Sequence, residues 1–340
     1  MSSHKAVKVG INGFGRIGRT VFKQLLQREE LEVAGINDLA KLEDLAYLLK
    51  YDSVHGWYPR KVVGQDGSIQ VDHWSIPFFS SADPGKIPWR ETGADIVIEC
   101  SGALRSRAKA AGHLEAGAGR VIISAPSDDA DAMIVLGVNE EIYRPESHQV
   151  VSMASCTTNC LAPVARVLDE SFGVDFIMFT TVHAYTSSQS LMDMPARHRR
   201  RGRAAGLSII PTTTGAAKAA EKVLPRLKGK MTGMAMRVPV PNGSVTDMAV
   251  SLNKDVTAED VNAALREASE KPPLEGILRV TEEALVSQDI VGDPHSSIVD
   301  ALSTMVLNNR VAKILAWYDN EWGYSARLVD FAAFMARKGL

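Results

Sequence analysis

Through the first 150 residues, short apolar runs alternate with stretches of helical spacing. Residues 7–11, 33–36, 96–99, 121–124, 134–136 and 150–152 read as buried strands. Residues 42–51 and 103–116 read as helical crossovers between them, while 57–79 alternates between Gly and Asp turns and predicts a small antiparallel insert. This is the α/β grammar of a parallel sheet flanked by helices. Beyond residue 155 the pattern changes. Residues 176–182, 233–238, 244–252 and 311–318 are long and alternating, as in a mostly antiparallel sheet, with helices at 213–224 and 258–270. The reading is α/β plus α+β: a Rossmann-type domain over 1–155 and a second domain over 156–321, with a terminal helix at 322–340. At 340 residues the chain is longer than one core usually serves.

Two stretches carry chemistry. Gly13, Gly15 and Gly18 form G-x-G-x-x-G, together with Arg16 and Ile17, between the first strand and a helix. There Gly13 permits the tight turn, Gly15 lets the backbone approach a pyrophosphate and Gly18 lets helix pack on strand. The helix N-terminus supplies the anion site. The second strand leads to Asp38, twenty residues past Gly18, where a ribose-binding carboxylate belongs. An acid at that point repels a 2′-phosphate, so NAD is expected in preference to NADP.

The second stretch is Ser155-Cys156-Thr157-Thr158-Asn159-Cys160, followed by an apolar-striped helix stopping at Gly173. Cys156 then lies in the first helical turn, where the macrodipole and free N–H groups are expected to lower its pKa. Read alone, the thiol is equally a buried packing residue. Cys160 and Cys100 are assigned to packing.

Composition narrows the classes. A net charge of −2 gives no field for nucleic acid or membrane. Three cysteines make no disulfide framework, and a free nucleophilic thiol calls for a reducing compartment, so the cytoplasm is expected. The first strand begins within a few residues of the start, which leaves no room for a signal peptide. No run reaches membrane-spanning length, and no metal is expected. Residues 185–207 have neither period and contain Arg197, Arg199, Arg200, Arg201 and Arg203, which reads as a solvated or interface face.

The two motifs, with Thr-Val-His-Ala-Tyr-Thr at 181–186, the stretches at 209–218 and 237–245, and Trp-Tyr-Asp-Asn-Glu-Trp-Gly-Tyr at 317–324, resemble the phosphorylating glyceraldehyde-3-phosphate dehydrogenase family over nearly the full chain. The resemblance implies that Cys156 is the nucleophile and His183 its base. It places Thr186 and Arg237 on the phosphate of a triose phosphate, and Ser155, Thr157, Thr214 and Gly215 around the attacking inorganic phosphate. It adds Ser124 and Asn320 to the NAD site, with Asn320 on the nicotinamide carboxamide. It further implies a terminal helix packed on the nucleotide domain and a homotetramer with the 185–207 loop at a subunit interface. Departures are Ser188 for a usual Asp, Met153 for a usual Asn, and Ser101-Gly-Ala-Leu104 for Thr-Gly-Val-Phe. Erythrose-4-phosphate dehydrogenase and a non-catalytic NAD-binding regulatory paralogue are the alternatives.

Overall fold

The computed structural model describes residues 6–340. Its chain separates into two compact units. The first comprises the described residues up to Ile134, Glu141–Ala154 and Ser325–Leu340, and the second Val135–Glu140 and Ser155–Tyr324. The small segment Val135–Glu140 thus groups with the second unit, although it lies within the stretch read above as the first domain.

In the first unit the sheet-forming strands are β1 (Val7–Asn12), β2 (Leu31–Asn37), β3 (Val62–Gln65), β4 (Ser68–Val71), β5 (Trp74–Phe79), β6 (Ile96–Glu99), β7 (Arg120–Ile123), β8 (Ala132–Met133) and β9 (Val150–Ser152). They form one sheet in the order β8-β9-β7-β6-β1-β2-β5-β4-β3. Pairing is parallel from β8 across to β5 and antiparallel through β5, β4 and β3. Burial explains the apolar runs: all four residues of β6 are buried, as a strand covered on both faces must be. Helix α1 (Arg16–Leu25) follows β1, and α2 (Leu42–Lys50) follows β2.

Two local expectations are corrected here. The strand placed at 134–136 is instead Ala132–Met133, and the ladder ends because the Val135 N–H donates to Asn139 Oδ1 at 2.8 Å rather than to a neighbouring strand. The helix placed at 103–116 is two single turns, Arg107–Ala110 and Gly112–Glu115. Ser106 caps the first. Gly112, which opens the second turn, packs closely on its neighbour, since a Cβ there would stand 2.7 Å from Pro84 Cγ.

The second unit holds β10 (Val174–Ala184), β11 (Ile210–Thr213), β12 (Met231–Val238), β13 (Ser244–Leu252), β14 (Leu278–Thr281), β15 (Ser297–Asp300), β16 (Met305–Leu307) and β17 (Val311–Tyr318). The order is β11-β12-β10-β13-β17-β15-β14, with β16 on β17. Most pairs are antiparallel; β10 with β12 and β14 with β15 are parallel. Strict alternation of burial along β13 and β17 marks a sheet covered on one face. Helices α3 (Cys156–Phe172), α4 (Ala216–Val223) and α5 (Ala258–Ser269) belong to this unit. Leu161, Val164 and Leu168 of α3 share a core with Ile177, Phe179, Met248, Val250 and Ile314. Truncating such a leucine costs about 2–5 kcal/mol, so the helix that carries Cys156 is anchored along its length.

The terminal helix α6 (Trp322–Lys338) enters the first unit at Ser325. Within that unit Thr20 and Ser325 hydroxyls lie 2.6 Å apart and Arg28 pairs with Asp330 at 2.7 Å.

Candidate active site

In the first unit β1 delivers the glycine turn. Gly13 has φ +91, and a Cβ there would stand 2.4 Å from the Ser101 backbone nitrogen; a Cβ on Gly18 would stand 2.0 Å from the Gly13 carbonyl oxygen. Neither position accepts another residue. Beside Gly15, the N-cap of α1, nothing lies within 4 Å of a built Cβ, so the helix N-terminus opens on free space. First-turn N–H groups there, those of Arg16, Ile17 and Gly18, have no intrahelical acceptor. The Asp38 carboxylate accepts the Phe14 N–H at 2.6 Å and the Ala40 N–H at 2.9 Å. That ties the acid to the turn and leaves it further acceptor capacity for hydroxyl groups.

This donor set fits a dinucleotide: N–H groups for a pyrophosphate, a fixed carboxylate for a ribose. The Arg16 side chain is engaged within the protein. Its guanidinium pairs with the buried Asp52 at 2.8 Å, which also faces Lys23 and His55, so its backbone is what the turn presents. Ser124 is likewise engaged, donating its hydroxyl to the Glu99 carbonyl at 2.7 Å.

In the second unit Ser155 caps α3, its Oγ accepting the Thr158 N–H at 3.1 Å; an N-cap of this kind is worth about 0.5–2 kcal/mol. The preceding Ala154 sits at φ +54, a left-handed conformation that costs a non-glycine residue about 1 kcal/mol. Cys156 is the first helical residue. His183, buried near the end of β10, places Nε2 3.4 Å from Cys156 Sγ. Two segments 27 residues apart in sequence therefore bring a thiol and an imidazole together.

The ring's other nitrogen has two partners. Nδ1 lies 2.7 Å from the Ala184 carbonyl oxygen and 2.7 Å from Arg237 Nη1, which itself donates to Ala184 O at 2.8 Å. Each neutral tautomer is thereby served. With the proton on Nδ1, donated to Ala184, Nε2 offers a lone pair to the thiol; with it on Nε2, Nδ1 accepts from Arg237 and Nε2–H faces the sulfur.

Burial corrects the expectation of a lowered thiol pKa. Desolvation holds Cys156 above its ordinary value, against the opposing pull of the Arg237 charge and of hydrogen bonds from Thr157. Desolvation, with Arg237 alongside, holds His183 down to about 3. Burial thus favours the uncharged form of each partner, and Arg237 is the cation that favours thiolate. Cys160, one turn on, is pushed up to about 12 by burial among Ser297 and Ala316, and Cys100 is also raised by burial and the Glu99 charge. Neither competes as a nucleophile.

This arrangement has a measurable acid limb. A histidine depressed from 6.5 to about 3 contributes stability that is fully present above 6.5 and is lost as pH falls toward 3. Wild type should therefore lose about 3 kcal/mol more than His183→Asn between pH 7 and pH 4, read as the difference in denaturant unfolding free energy across that range. Parallel pH profiles would mean that His183 is not held neutral by the fold.

The other expected groups also belong to the second unit. Thr186 Oγ1 stands 2.9 Å from Ser188 Oγ, just beyond β10. Thr214 caps the Ala216 N–H at 3.2 Å, and Gly215, the N-cap of α4, faces open space. The Thr157 hydroxyl turns to Tyr318 OH at 3.0 Å, and the Ser155 hydroxyl to Thr158 Oγ1 at 2.7 Å. Both hydroxyls thus have partners within the protein. Asn320 is buried and fixed, its Oδ1 accepting from Ser244 Oγ at 2.7 Å.

Two residues were not singled out from the sequence. Tyr318 joins Thr157 and Thr181 through its hydroxyl, at 3.0 and 2.7 Å, and sets its ring edge-on to His183 with centroids 5.9 Å apart. Its signal was an aromatic ending an alternating strand just before Asp319-Asn320. Arg201, read as part of a solvated or interface face, is tied back to Thr212 Oγ1 at 2.9 Å, and its charge reaches Arg237.

A glycine-rich nucleotide unit and a second unit in which a thiol meets an imidazole beside Arg237 fit the class of nucleotide-dependent oxidoreductases. Residues 7–107 match the glyceraldehyde 3-phosphate dehydrogenase NAD binding domain, and residues 155–320 match the C-terminal domain of the same family. The chain is 55% identical to glyceraldehyde-3-phosphate dehydrogenase of Geobacillus stearothermophilus over 98% of its own length and 100% of that protein. It is 54% identical to glyceraldehyde-3-phosphate dehydrogenase 1 of Bacillus subtilis strain 168 over the same shares. It is also 54% identical to glyceraldehyde-3-phosphate dehydrogenase of Borreliella burgdorferi, over 96% of this chain and 98% of the relative. The chain belongs to the glyceraldehyde-3-phosphate dehydrogenase family, and its nucleotide cofactor is NAD.

Proposed function

We propose that this chain catalyses the NAD-dependent oxidative phosphorylation of D-glyceraldehyde 3-phosphate to 1,3-bisphosphoglycerate. The observation that carries the reading is the 3.4 Å approach of Cys156 Sγ to His183 Nε2, with Arg237 on the far side of the ring. Cys156 Sγ adds to the aldehyde carbon as its proton passes by way of Nε2 to the carbonyl oxygen, which leaves Nε2 unprotonated again. The hemithioacetal hydroxyl then gives its proton to the imidazole as the carbon is oxidised to a thioester. NAD, when bound, supplies the two-electron acceptor. Inorganic phosphate cleaves the thioester to the acyl phosphate and releases Cys156.

Family membership assigns the roles, and the charge of the ligands agrees with them. Arg237 and Thr186 bind the aldehyde's phosphate, and Ser155, Thr157, Thr214 and Gly215 receive the attacking phosphate, with Arg201 as a second cation for these dianions. Thr157 and Ser155, whose hydroxyls are engaged internally, contribute from the N-terminal turn of α3. The turn Gly13–Gly18, Asp38, Ser124 and Asn320 hold NAD.

The assembly we propose is a cytoplasmic homotetramer. Supporting it, the loop 185–207 exposes Leu191, Met192, Met194 and Leu207, between 61% and 84% accessible, and such apolar side chains call for cover. Among the described residues no helix is long and apolar enough to cross a membrane.

The deciding experiment compares purified protein on glyceraldehyde 3-phosphate and erythrose 4-phosphate, with NAD or NADP, with and without phosphate. Phosphate-dependent turnover of the triose with NAD, at an efficiency at least tenfold above NADP, is expected because Asp38 repels the 2′-phosphate. A better rate with erythrose 4-phosphate would overturn the substrate. Comparable NADP efficiency that converges only at low salt would show that the loop arginines offset Asp38.

A further inference from the structure

Behind the nucleotide turn, the first unit buries a carboxylate that, among the described residues, has no lysine or arginine as a hydrogen-bond partner. Glu99, 2% exposed at the end of β6, collects four donors. Its Oε1 accepts the Ser101 N–H at 2.7 Å and the Ser101 hydroxyl. Its Oε2 accepts Asn12 Nδ2 and stands 3.0 Å from His113 Nε2. His113 is fully buried, and its Nδ1 accepts the Trp89 indole N–H at 3.0 Å. Indole can only donate, so Nδ1 carries the lone pair, the proton sits on Nε2, and the ring reaches Glu99 as a neutral donor. A buried carboxylate without a cation is stable only when donors surround it, and removing one leaves the remainder costly.

The network continues toward the cofactor side. Asn12 Oδ1 accepts Asn37 Nδ2 at 2.7 Å, and Asn37 Oδ1 accepts the Ser81 N–H at 2.9 Å. Asn12, Asn37 and Glu99 are register partners at the ends of β1, β2 and β6. Each is followed directly by a piece of the nucleotide site: Gly13 after Asn12, Asp38 after Asn37, and, after Glu99 and Cys100, the Ser101 turn that lies against Gly13.

We propose that Trp89, His113, Glu99, Asn12 and Asn37 form a positioning network that sets NAD affinity, with His113 holding Glu99 so that the Ser101 turn, the Gly13 turn and Asp38 stay in one arrangement. None of these side chains needs to touch NAD. Their effect is preorganisation: donors already in place lose less freedom when the dinucleotide binds. The inference rests on the assignment of the Gly13–Asp38 region as the NAD site.

The test is NAD binding by calorimetry on the full-length protein, with melting temperature, and kcat at saturating NAD, measured alongside. His113→Leu should raise the NAD Kd fivefold or more, with a much smaller change in kcat, and His113→Gln, which restores an N–H toward Glu99, should recover most of the affinity. Val121→Ala, a core change in β7 outside the network, should lower the melting temperature without moving Kd. An unchanged Kd in His113→Leu, or an equal rise in Val121→Ala, would overturn the proposal in favour of plain structural burial. Should His113→Leu not fold, Ser101→Ala removes one donor from the exposed end and should raise Kd at least twofold; no change there overturns the proposal equally. Asp38→Ala separates the two layers: if it leaves NAD binding intact, the site assignment itself fails, whereas weakened binding with no effect of His113 or Ser101 rejects the network alone.

Discussion

Cys156→Ser should reduce aldehyde oxidation by on the order of 10⁴-fold or more while NAD binding stays within twofold of wild type. The usual account is that an alcohol is a weaker acid than a thiol. The geometry adds a stronger reason. His183, the group 3.4 Å from the sulfur, is held down to about 3 by burial and by Arg237, so it is a weak base in the resting site. A weak base can relieve a thiol, because Arg237 and Thr157 favour the resulting thiolate. It cannot relieve a serine hydroxyl. Cys160→Ser should keep substantial activity, since that thiol is buried in the core and contacts neither His183 nor Arg237. Iodoacetamide followed by peptide mass spectrometry should label Cys156 first, because Arg237 offsets part of its burial, whereas Cys100 and Cys160 gain no such cation. Turnover by Cys156→Ser above a few percent of wild type, or equal labelling of the three thiols, would contradict the nucleophile assignment.

Periodicity made the strands legible where burial is regular. The strands read at 96–99, 150–152, 244–252 and 311–318 have those same bounds in the structure, because continuous burial or strict alternation leaves an unambiguous trace. It failed where a side chain intervenes. Asn139 takes the amide that would have continued a strand past Ile134, and Ser106 caps a helix expected to start at 103.

At the site, motif spacing named Cys156, and the family pattern added His183. What spacing cannot show is environment. A helix N-terminus argued for an acidic thiol, yet burial outweighs it. Tyr318 and Arg201 act through partners 161 and 11 residues away in sequence, Thr157 and Thr212, so nothing near them announced a role. The Glu99 network was hidden for the same reason: in sequence it is only the polar end of an apolar strand.

Arg237→Leu should raise KM for both glyceraldehyde 3-phosphate and inorganic phosphate and lower kcat/KM for each by roughly tenfold to over a hundredfold. That range corresponds to the loss of one charge-assisted contact to a phosphate, about 1.5–3 kcal/mol. One guanidinium is being asked to serve two dianions, so both constants must move. A second consequence separates this from simple loss of binding. Arg237 Nη1 lies 2.7 Å from His183 Nδ1 and its charge depresses the imidazole while favouring the Cys156 thiolate. Without it His183 becomes a stronger base and Cys156 a weaker acid, so the acid limb of kcat should shift to higher pH as the imidazole protonates more readily. Arg237→Lys should retain part of the charge effect but lose the forked contact to phosphate. Ser188→Asp changes the charge in the same direction at one site alone: it puts a carboxylate where the Ser188 hydroxyl now stands 2.9 Å from Thr186 Oγ1, and should raise KM for the aldehyde phosphate specifically. If Arg237→Leu leaves both KM values and the pH profile where they were, Arg237 is a strand-end residue capping the Ala184 carbonyl, and the phosphate reading of this pocket is wrong.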